Sequence, residues 1–548
     1  MKVALAQFNA SVGDIAGNIE SMRKIYTKTI DASVELLVFP EMCICGYPPE
    51  DLLHKEHFLN DTRSALEQFA AECSEITVIA GFAEAAFDKC YNSMAVIKDK
   101  NISKIYRKGV LPNYGVFDEW RYFEPGNEAV HLKIDSINSA LTICEDIWEM
   151  EWLEKFLKNT PHHDLIINIS ASPFHVGKIE QRRKLLSCCA RHFHSAVAYC
   201  NLVGGQDELV FDGRSMFVDS TGTVVSEAKA FAEDLLIADI TSDEHKAVTI
   251  KNIKASIEYP DPVLKDTIAN VYDALVLGTH DYVKKNGFEK VIIGFSGGID
   301  SSLTAAIAVE ALGAHNVIGV TMPSRFNSPE TIDDAEKLAD NLEVEFLTVP
   351  IGEILKEFNH TLSTVKGWHE DGVAYENLQA RIRGGILMSL SNQLGVMVLT
   401  TGNKSETAVG YSTLYGDTAG GFAVIKDVPK TMVYQLAEHV NKTHQQQIIP
   451  ASVIERIPSA ELRENQKDSD SLPDYDLLDE ILKGYIEQDK SADQLAQNGL
   501  AKDTVERMIG MVDHNEYKRR QSPPGVKITP KAFGRDRRMP ITNRYISK

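Results

Sequence analysis

Three residues of the first half, a thiol, a carboxylate and an ammonium, could together make an activated nucleophile. Leu141-Thr142-Ile143-Cys144-Glu145-Asp146 puts a cysteine at the end of an apolar, strand-like run, where a tight turn can expose its thiol. Val38-Phe39-Pro40-Glu41 and Tyr106-Arg107-Lys108-Gly109 put a carboxylate and an ammonium at two other strand ends. If the three converge at one sheet edge, Glu41 accepts the thiol proton, and Lys108 lowers the thiol pKa and stabilises an oxyanion. Each residue alone has a plainer reading. A buried cysteine is a small hydrophobe, a strand-end lysine is a solvated charge, and a strand-end glutamate caps a following helix. Cys43, Cys45, Cys188 and Cys189 have no matching partners and read as core or surface thiols.

The second half carries a different chemistry. Ile293-Gly294-Phe295-Ser296-Gly297-Gly298-Ile299-Asp300-Ser301-Ser302 lies between a short apolar strand and the apolar helix Leu303–Ala308. Its glycines let backbone N–H groups approach an anion, the helix N-terminus favours negative charge, and the serines add hydroxyl donors. Asp300 amid such groups makes sense if it holds a divalent cation that bridges phosphate oxygens. The lysine of the Walker pattern is missing. Leu399-Thr400-Thr401-Gly402-Asn403-Lys404-Ser405-Glu406 follows another strand, on the side where open α/β sheets bind ligands.

The elements that must position these groups read as two α/β halves. Apolar runs at the N-terminus and at Glu35–Pro40, Ile76–Phe82, Ala140–Cys144, Asp164–Ser170 and Ala196–Val203 alternate with amphipathic segments. Tyr259-Pro260-Asp261-Pro262 breaks any regular element, so the chain divides into 1–250, a linker 251–262, and 263–548. A helix is expected over Val263–Lys285, followed by the strand Lys290–Phe295. Strands at Asn316–Met322, Glu345–Val349 and Val396–Thr400 then alternate with helices at Thr331–Leu342 and Asn377–Leu394. That alternation implies a parallel sheet covered on both faces.

The 548 residues carry a net charge of −21, which argues against a general nucleic-acid binder. No apolar stretch is long enough to span a bilayer. The eight cysteines, all between Cys43 and Cys200, include no Cys-x-x-Cys pair, which suggests free thiols in a reducing cytoplasm. From His514 to Lys548 ten Lys/Arg stand against two acids, a tail that reads either as a contact for substrate phosphate or as a solvated arm.

The glycine loop resembles the PP-loop of ATP pyrophosphatases. With Tyr415-Gly416-Asp417-Thr418-Ala419-Gly420-Gly421 and Lys426-Asp427-Val428-Pro429-Lys430, it resembles the NAD synthetase domain. The Glu41, Lys108 and Cys144 contexts, with Gln7, Gly13 and Asn18, resemble the nitrilase superfamily. The implied folds are an N-terminal nitrilase-like α-β-β-α sandwich and a C-terminal Rossmann-like parallel sheet. Carried over residue by residue, the resemblance implies that Tyr114, Ser172 and Lys178 contact glutamine. It implies ATP contacts for Gly294, Phe295, Ser296, Gly297, Gly298, Ile299, Asp300, Ser301 and Thr401. Asn377, Glu406 and Lys518 match positions for the deamido dinucleotide, and Asp300 and Glu406 match positions for Mg²⁺. Lys430 and Ser459 match positions near the ATP phosphates.

Both halves in one chain resemble the glutamine-dependent NAD synthetases, so the implied substrates are glutamine, ATP and deamido-NAD⁺. The family also implies a homo-oligomer and a closed route for ammonia. Two other readings stay open. One is an amidase whose second half only senses nucleotide, and the other is a PP-loop amidotransferase acting on another acid.

Overall fold

The structure is a computed structural model, and it describes residues 1–242, 248–254, 267–370 and 372–545. The chain divides into two compact units, Met1–Lys265 and Asp266–Lys548.

The first unit has fifteen strands among its described residues: β1 (Lys2–Gln7), β2 (Leu36–Val38), β3 (Thr77–Ala86), β4 (Lys89–Lys98), β5 (Asn101–Arg107), β6 (His131–Ile134), β7 (Ile137–Ile143), β8 (Leu165–Ser170), β9 (Ala196–Asn201), β10 (Val203–Gln206), β11 (Leu209–Asp212), β12 (Met216–Val218), β13 (Val224–Glu227), β14 (Asp234–Ser242) and β15 (Val248–Lys254). Two large sheets result, in the orders β15-β14-β1-β2-β3-β4-β5 and β13-β12-β9-β8-β7-β6, with β10 and β11 paired as a separate two-stranded ribbon. Side chains alternate across a strand, so each strand feeds two cores. Val3, Leu5, Leu36, Val38 and Ile79 meet Leu141, Ile143, Ile167 and Ile169 between the sheets. Ala4, Ala6, Leu37 and Val78 face the other way, into the layer of α1 (Ile15–Asp31) and α2 (Glu56–Glu72). Ala140, Ile166 and Val197 likewise face α3 (Met150–Leu157) and α4 (Lys178–Phe193). The result is an α-β-β-α sandwich, and burial on both faces is why its strands read as unbroken apolar runs.

The expected linker is corrected at one end. β15 pairs antiparallel with β14 through Lys254, so residues 251–254 are strand. The proline break Tyr259–Pro262, the rest of the linker, and 263–266 of the expected helix lie outside the described residues.

The second unit has a five-stranded, wholly parallel sheet of β16 (Val291–Gly294), β17 (Val317–Thr321), β18 (Glu345–Thr348), β19 (Met397–Thr400) and β20 (Phe422–Ala423). Its order is β18-β17-β16-β19-β20, which places the topological switch between β16 and β19. Ile292, Ile318 and Val398 pack on one face against α8 (Gly352–Leu362) and α9 (Val373–Leu394). The opposite face carries α6 (Ile299–Leu312), with α5 (Thr267–Lys285) and α11 (Lys430–His444) packed on α6. α7 (Pro329–Leu342) starts two residues before the expected Thr331, with Ser328 capping the Thr331 N–H and proline in the first turn. α10 (Lys404–Val409) follows β19. A helical layer with its own apolar cluster includes Tyr475–Leu482, Ala492–Gln497 and Lys502–His514. A capping box between Ser491 and Gln494 opens the helix Ala492–Gln497.

Candidate active sites

In the first unit, Lys108, just past β5, donates from Nζ to Glu41 Oε1 at 2.9 Å. Glu41 lies in the turn after β2, and the close approach that places it requires Gly81, where a Cβ would lie 2.7 Å from the Glu41 Cα. Asn92 Nδ2 and the Ala171 N–H also donate to the Glu41 carboxylate, at 2.6 and 2.7 Å. Cys144 follows β7 of the other sheet at φ 41°, a left-handed conformation that a cysteine adopts only when its surroundings impose it. All three side chains are buried. Burial, then the Glu41 charge, push the Cys144 thiol well up, while Lys108 pulls it down. The thiol therefore rests protonated and needs a base, and Glu41 is the carboxylate in place.

A fourth group was missed in the sequence. Glu119 Oε1 accepts from Lys108 Nζ and from Tyr47 OH, both at 2.8 Å. Burial opposes the Lys108 charge, but Glu119 and Glu41 overcome it and hold the ammonium protonated. Burial raises the Glu119 carboxyl against the pull of Lys108. Glu119 sits in a single turn between irregular segments, so no strand-end context marked it.

The residues matched to glutamine gather around this cluster. Tyr114 OH donates to Glu145 Oε1 at 2.9 Å, beside Cys144. Lys178 opens α4 with its Nζ 3.8 Å from the centre of the Trp148 ring, and the Cys144 and Glu145 charges both act on it. Ser172 accepts from Arg182 Nη2 at Oγ, 3.4 Å, and that guanidinium is also paired with Asp212 at 3.0 Å. Gln7, Gly13 and Asn18 tie loops together. Gln7 Nε2 donates to the Lys229 and Ala232 carbonyls at 2.6 Å, the Gly13 N–H to the Cys45 carbonyl at 2.9 Å, and Asn18 Nδ2 to the Ile44 carbonyl at 3.0 Å. All eight cysteines are free thiols.

In the second unit, the glycine loop leaves β16 and enters α6 at the switch point, next to the segment that leaves β19. Gly297 has φ +74°, and a Cβ there would lie 2.1 Å from the Thr331 carbonyl oxygen. Ser296 and Ser301 hydroxyls are 3.0 Å apart, and Ser301 and Ser302 both donate to the Gly298 carbonyl at 2.9 Å. Asn403 links the two loops. Its Nδ2 donates to Asp300 Oδ1 at 2.9 Å, while its Oδ1 caps α10 by accepting the Glu406 N–H at 2.9 Å. Lys430, at the start of α11, lies between the two carboxylates, paired with Asp300 and, at 3.1 Å, with Glu406. Burial raises the Glu406 carboxyl against Lys430, and Asp300 and Asp468 add to the rise. Burial opposes the Lys430 charge, and Asp300 and Glu406 outweigh it.

Thr401 follows β19 beside this cluster. Asn377 and Lys518 meet through one turn. Thr413 Oγ1 donates to Asn377 Oδ1 at 2.7 Å, and Lys518 Nζ donates to the Gly410 and Ser412 carbonyls at 2.7 and 2.9 Å. Asn377 lies inside α9, in its second turn, and the cap of that helix is Gly372. Ser459 is held within its own loop, bonding the Gln466 carbonyl at 2.6 Å, whereas Arg456 of that segment reaches the glycine loop at the Gly297 carbonyl, 2.9 Å. Arg383, nearly buried and pushed down to about 10 by that burial, donates to the Met322 carbonyl at 3.0 Å and was also missed.

The comparisons agree with both halves. The carbon-nitrogen hydrolase family matches residues 2–249 and the NAD synthase family residues 236–522. A glutamine-dependent NAD(+) synthetase of Thermotoga maritima is 46% identical over 570 residues, covering 100% of this chain and 99% of its own. One from Aquifex aeolicus is 44% identical with 100% of each chain covered. The solved structure of the Acinetobacter baumannii glutamine-dependent NAD+ synthetase in complex with ADP matches with a TM-score of 0.78 at 41% identity, over 99% of this chain and 98% of that one. Two sites with separate chemistries, in relatives matched from end to end, place this chain in the family of glutamine-dependent NAD(+) synthetases.

Proposed function

We propose that the chain converts deamido-NAD⁺, ATP, glutamine and water to NAD⁺, AMP, pyrophosphate and glutamate, with one domain for each half-reaction. The observation that carries this reading is the pairing in one chain of a buried Glu41–Lys108 contact at Cys144 with a glycine loop whose Asp300 faces Glu406.

Glu41 takes the Cys144 proton, and the thiolate attacks the glutamine amide. Lys108 offsets the charge on the tetrahedral oxygen. Collapse releases ammonia, protonated on departure by Glu41, and water attacks the thioester with Glu41 again as base. Tyr114, Ser172 and Lys178 hold the amino-acid end, where an ammonium suits the α-carboxylate that a simple amide lacks.

A carboxylate is a poor acceptor for ammonia, because its leaving group would be oxide. Adenylation of deamido-NAD⁺ supplies a good one. Backbone N–H groups and hydroxyls of Ser296–Ser302 cradle the phosphates. Thr401 contacts ATP, and Asn377, Glu406 and Lys518 hold the dinucleotide. Asp300 and Glu406 are two hard carboxylates paired with the same Lys430 ammonium, a donor set that would suit Mg²⁺, which binds one or two carboxylates together with substrate phosphates. Asp300 and Glu406 would hold it, and it would offset charge on the departing pyrophosphate. Lys430 supplies a positive charge at the same place.

The reading includes a homo-oligomer, as the family implies, and a cytoplasmic setting, supported by the eight free thiols. Among the described residues no helix is long and apolar enough to cross a membrane.

The test is an assay following AMP and NAD⁺ with either glutamine or an ammonium salt. Cys144→Ala is expected to abolish glutamine-supported synthesis and keep ammonium-supported synthesis, and Asp300→Ala to abolish both. Full glutamine use by the Cys144 variant would remove the nucleophile assignment. ATP that modulates glutamine hydrolysis without being consumed would support the nucleotide-sensing amidase instead.

A further inference from the structure

Asp146 is fully buried, two residues after Cys144, and its carboxylate gathers four hydrogen bonds. Oδ2 accepts the Ile143 N–H at 2.8 Å and the Tyr106 hydroxyl at 2.7 Å. Oδ1 accepts the N–H groups of Gly109 and Val110 at 3.0 and 2.8 Å. The Ile143 bond is a local cap of the turn that begins at Cys144, and such a cap needs nothing more. The other three donors flank Lys108, two residues before it and one and two after it. Lys108 follows an edge strand of one sheet and Cys144 follows a strand of the other. One rigid carboxylate thus spans the two sheets where ammonium and thiol must meet.

We propose that Asp146 is a positioning residue that fixes Lys108 against Cys144 and so sets the reactivity of the thiol. The inference rests on Cys144 being the nucleophile. Burial pushes the Asp146 carboxyl up to about 6, against its donors, so at neutral pH it remains the acceptor that this geometry needs. An asparagine keeps the size but turns an NH₂ toward one pair of donors, so one side of the bridge opens.

The test compares Asp146→Asn, Tyr106→Phe and Cys144→Ala in the full chain, by glutamine hydrolysis and by the pH dependence of thiol alkylation with iodoacetamide. For Asp146→Asn the expected result is a fall in kcat of about 10²-fold, the scale of an ångström of misplacement, with KM for glutamine changed far less. The midpoint of alkylation should move to higher pH, because Lys108 no longer holds its place beside the sulfur. A variant that melts earlier but keeps the wild-type kcat and alkylation profile would overturn the proposal and leave Asp146 a structural cap. If Asp146→Asn does not fold, Tyr106→Phe decides. It removes one donor and leaves the carboxylate three, so an upward shift of the alkylation midpoint supports positioning and an unchanged one overturns it. Cys144→Ala separates the two failures, since retained glutamine hydrolysis there defeats the nucleophile assignment itself.

Discussion

Lys178 opens α4 half-buried, with its ammonium over the Trp148 ring, and burial followed by the Arg182 charge brings its pKa down to about 8. Below that pH the side chain is charged and, in the proposed reaction, would attract the α-carboxylate of glutamine; above it the attraction would be lost. The KM for glutamine is therefore expected to rise as pH rises through about 8, with kcat less affected. Lys178→Arg stays charged throughout, because a guanidinium does not titrate below about pH 12, and it should flatten the rise. A wild-type KM that does not change across that interval would take Lys178 out of carboxylate recognition. Residue by residue, the sequence shows which groups carry chemistry but not which groups hold them. Cys144, Lys108 and Glu41 each sit in a recognisable strand-end context, while the long-range hydrogen bonds of Glu119 and Asp146 reach partners 11 to 72 residues away that no local pattern encodes.

At the scale of elements, legibility follows burial. β8 and β9 are buried on both faces and were readable as apolar runs, whereas the short strands β10 to β13, three or four residues each, carry too little pattern. The parallel sheet of the second unit was predictable because its strands alternate with helices, although the two-residue β20 was not among the expected strands. The strand order was not predictable, since the pairing of β16 with β19 joins residues about a hundred positions apart. The glycine loop is where element geometry and chemistry coincide. Gly297→Ala must either move the Thr331 carbonyl or distort the loop, because its φ and the 2.1 Å approach both exclude a Cβ. Pyrophosphate release should fall at least about tenfold, with a stability loss of roughly 1–3 kcal/mol in thermal melting. Glutamine hydrolysis measured on the same sample is the control. ATP-dependent synthesis at wild-type level would show that the loop does not set the phosphate cradle.

At the scale of the molecule, part of the basic tail is packed into the second unit rather than solvated. Its inner cations are matched to the tail's own two acids and to Asp513 just before it. Lys527 pairs with Asp536 at 2.7 Å, and Arg537 with Asp513 at 3.2 Å and Glu516 at 3.5 Å. The Ile528 and Thr529 N–H groups donate to Asp427 at 2.8 and 2.7 Å, and Thr529 Oγ1 and the Lys531 carbonyl accept from Lys404 Nζ at 2.6 and 3.2 Å. Lys404 is the first residue of α10, two before Glu406, so the tail anchors the helix that carries part of the proposed metal and dinucleotide site. Phe533 packs into the apolar cluster of Val505, Met508 and Val512. A chain ending at Ser522 would lose that packing and strip Asp427 of its backbone donors, a loss on the order of 5 kcal/mol from buried apolar area and broken buried pairs. The expected outcome is an earlier melting transition and loss of synthesis from ammonium as well as from glutamine, while glutamine hydrolysis persists. Because these pairs are buried, moderate salt added to the full-length chain should not reproduce the effect. A solvated arm would leave both melting and synthesis unchanged on deletion, and a phosphate contact would raise the KM for ATP or dinucleotide with no change in melting.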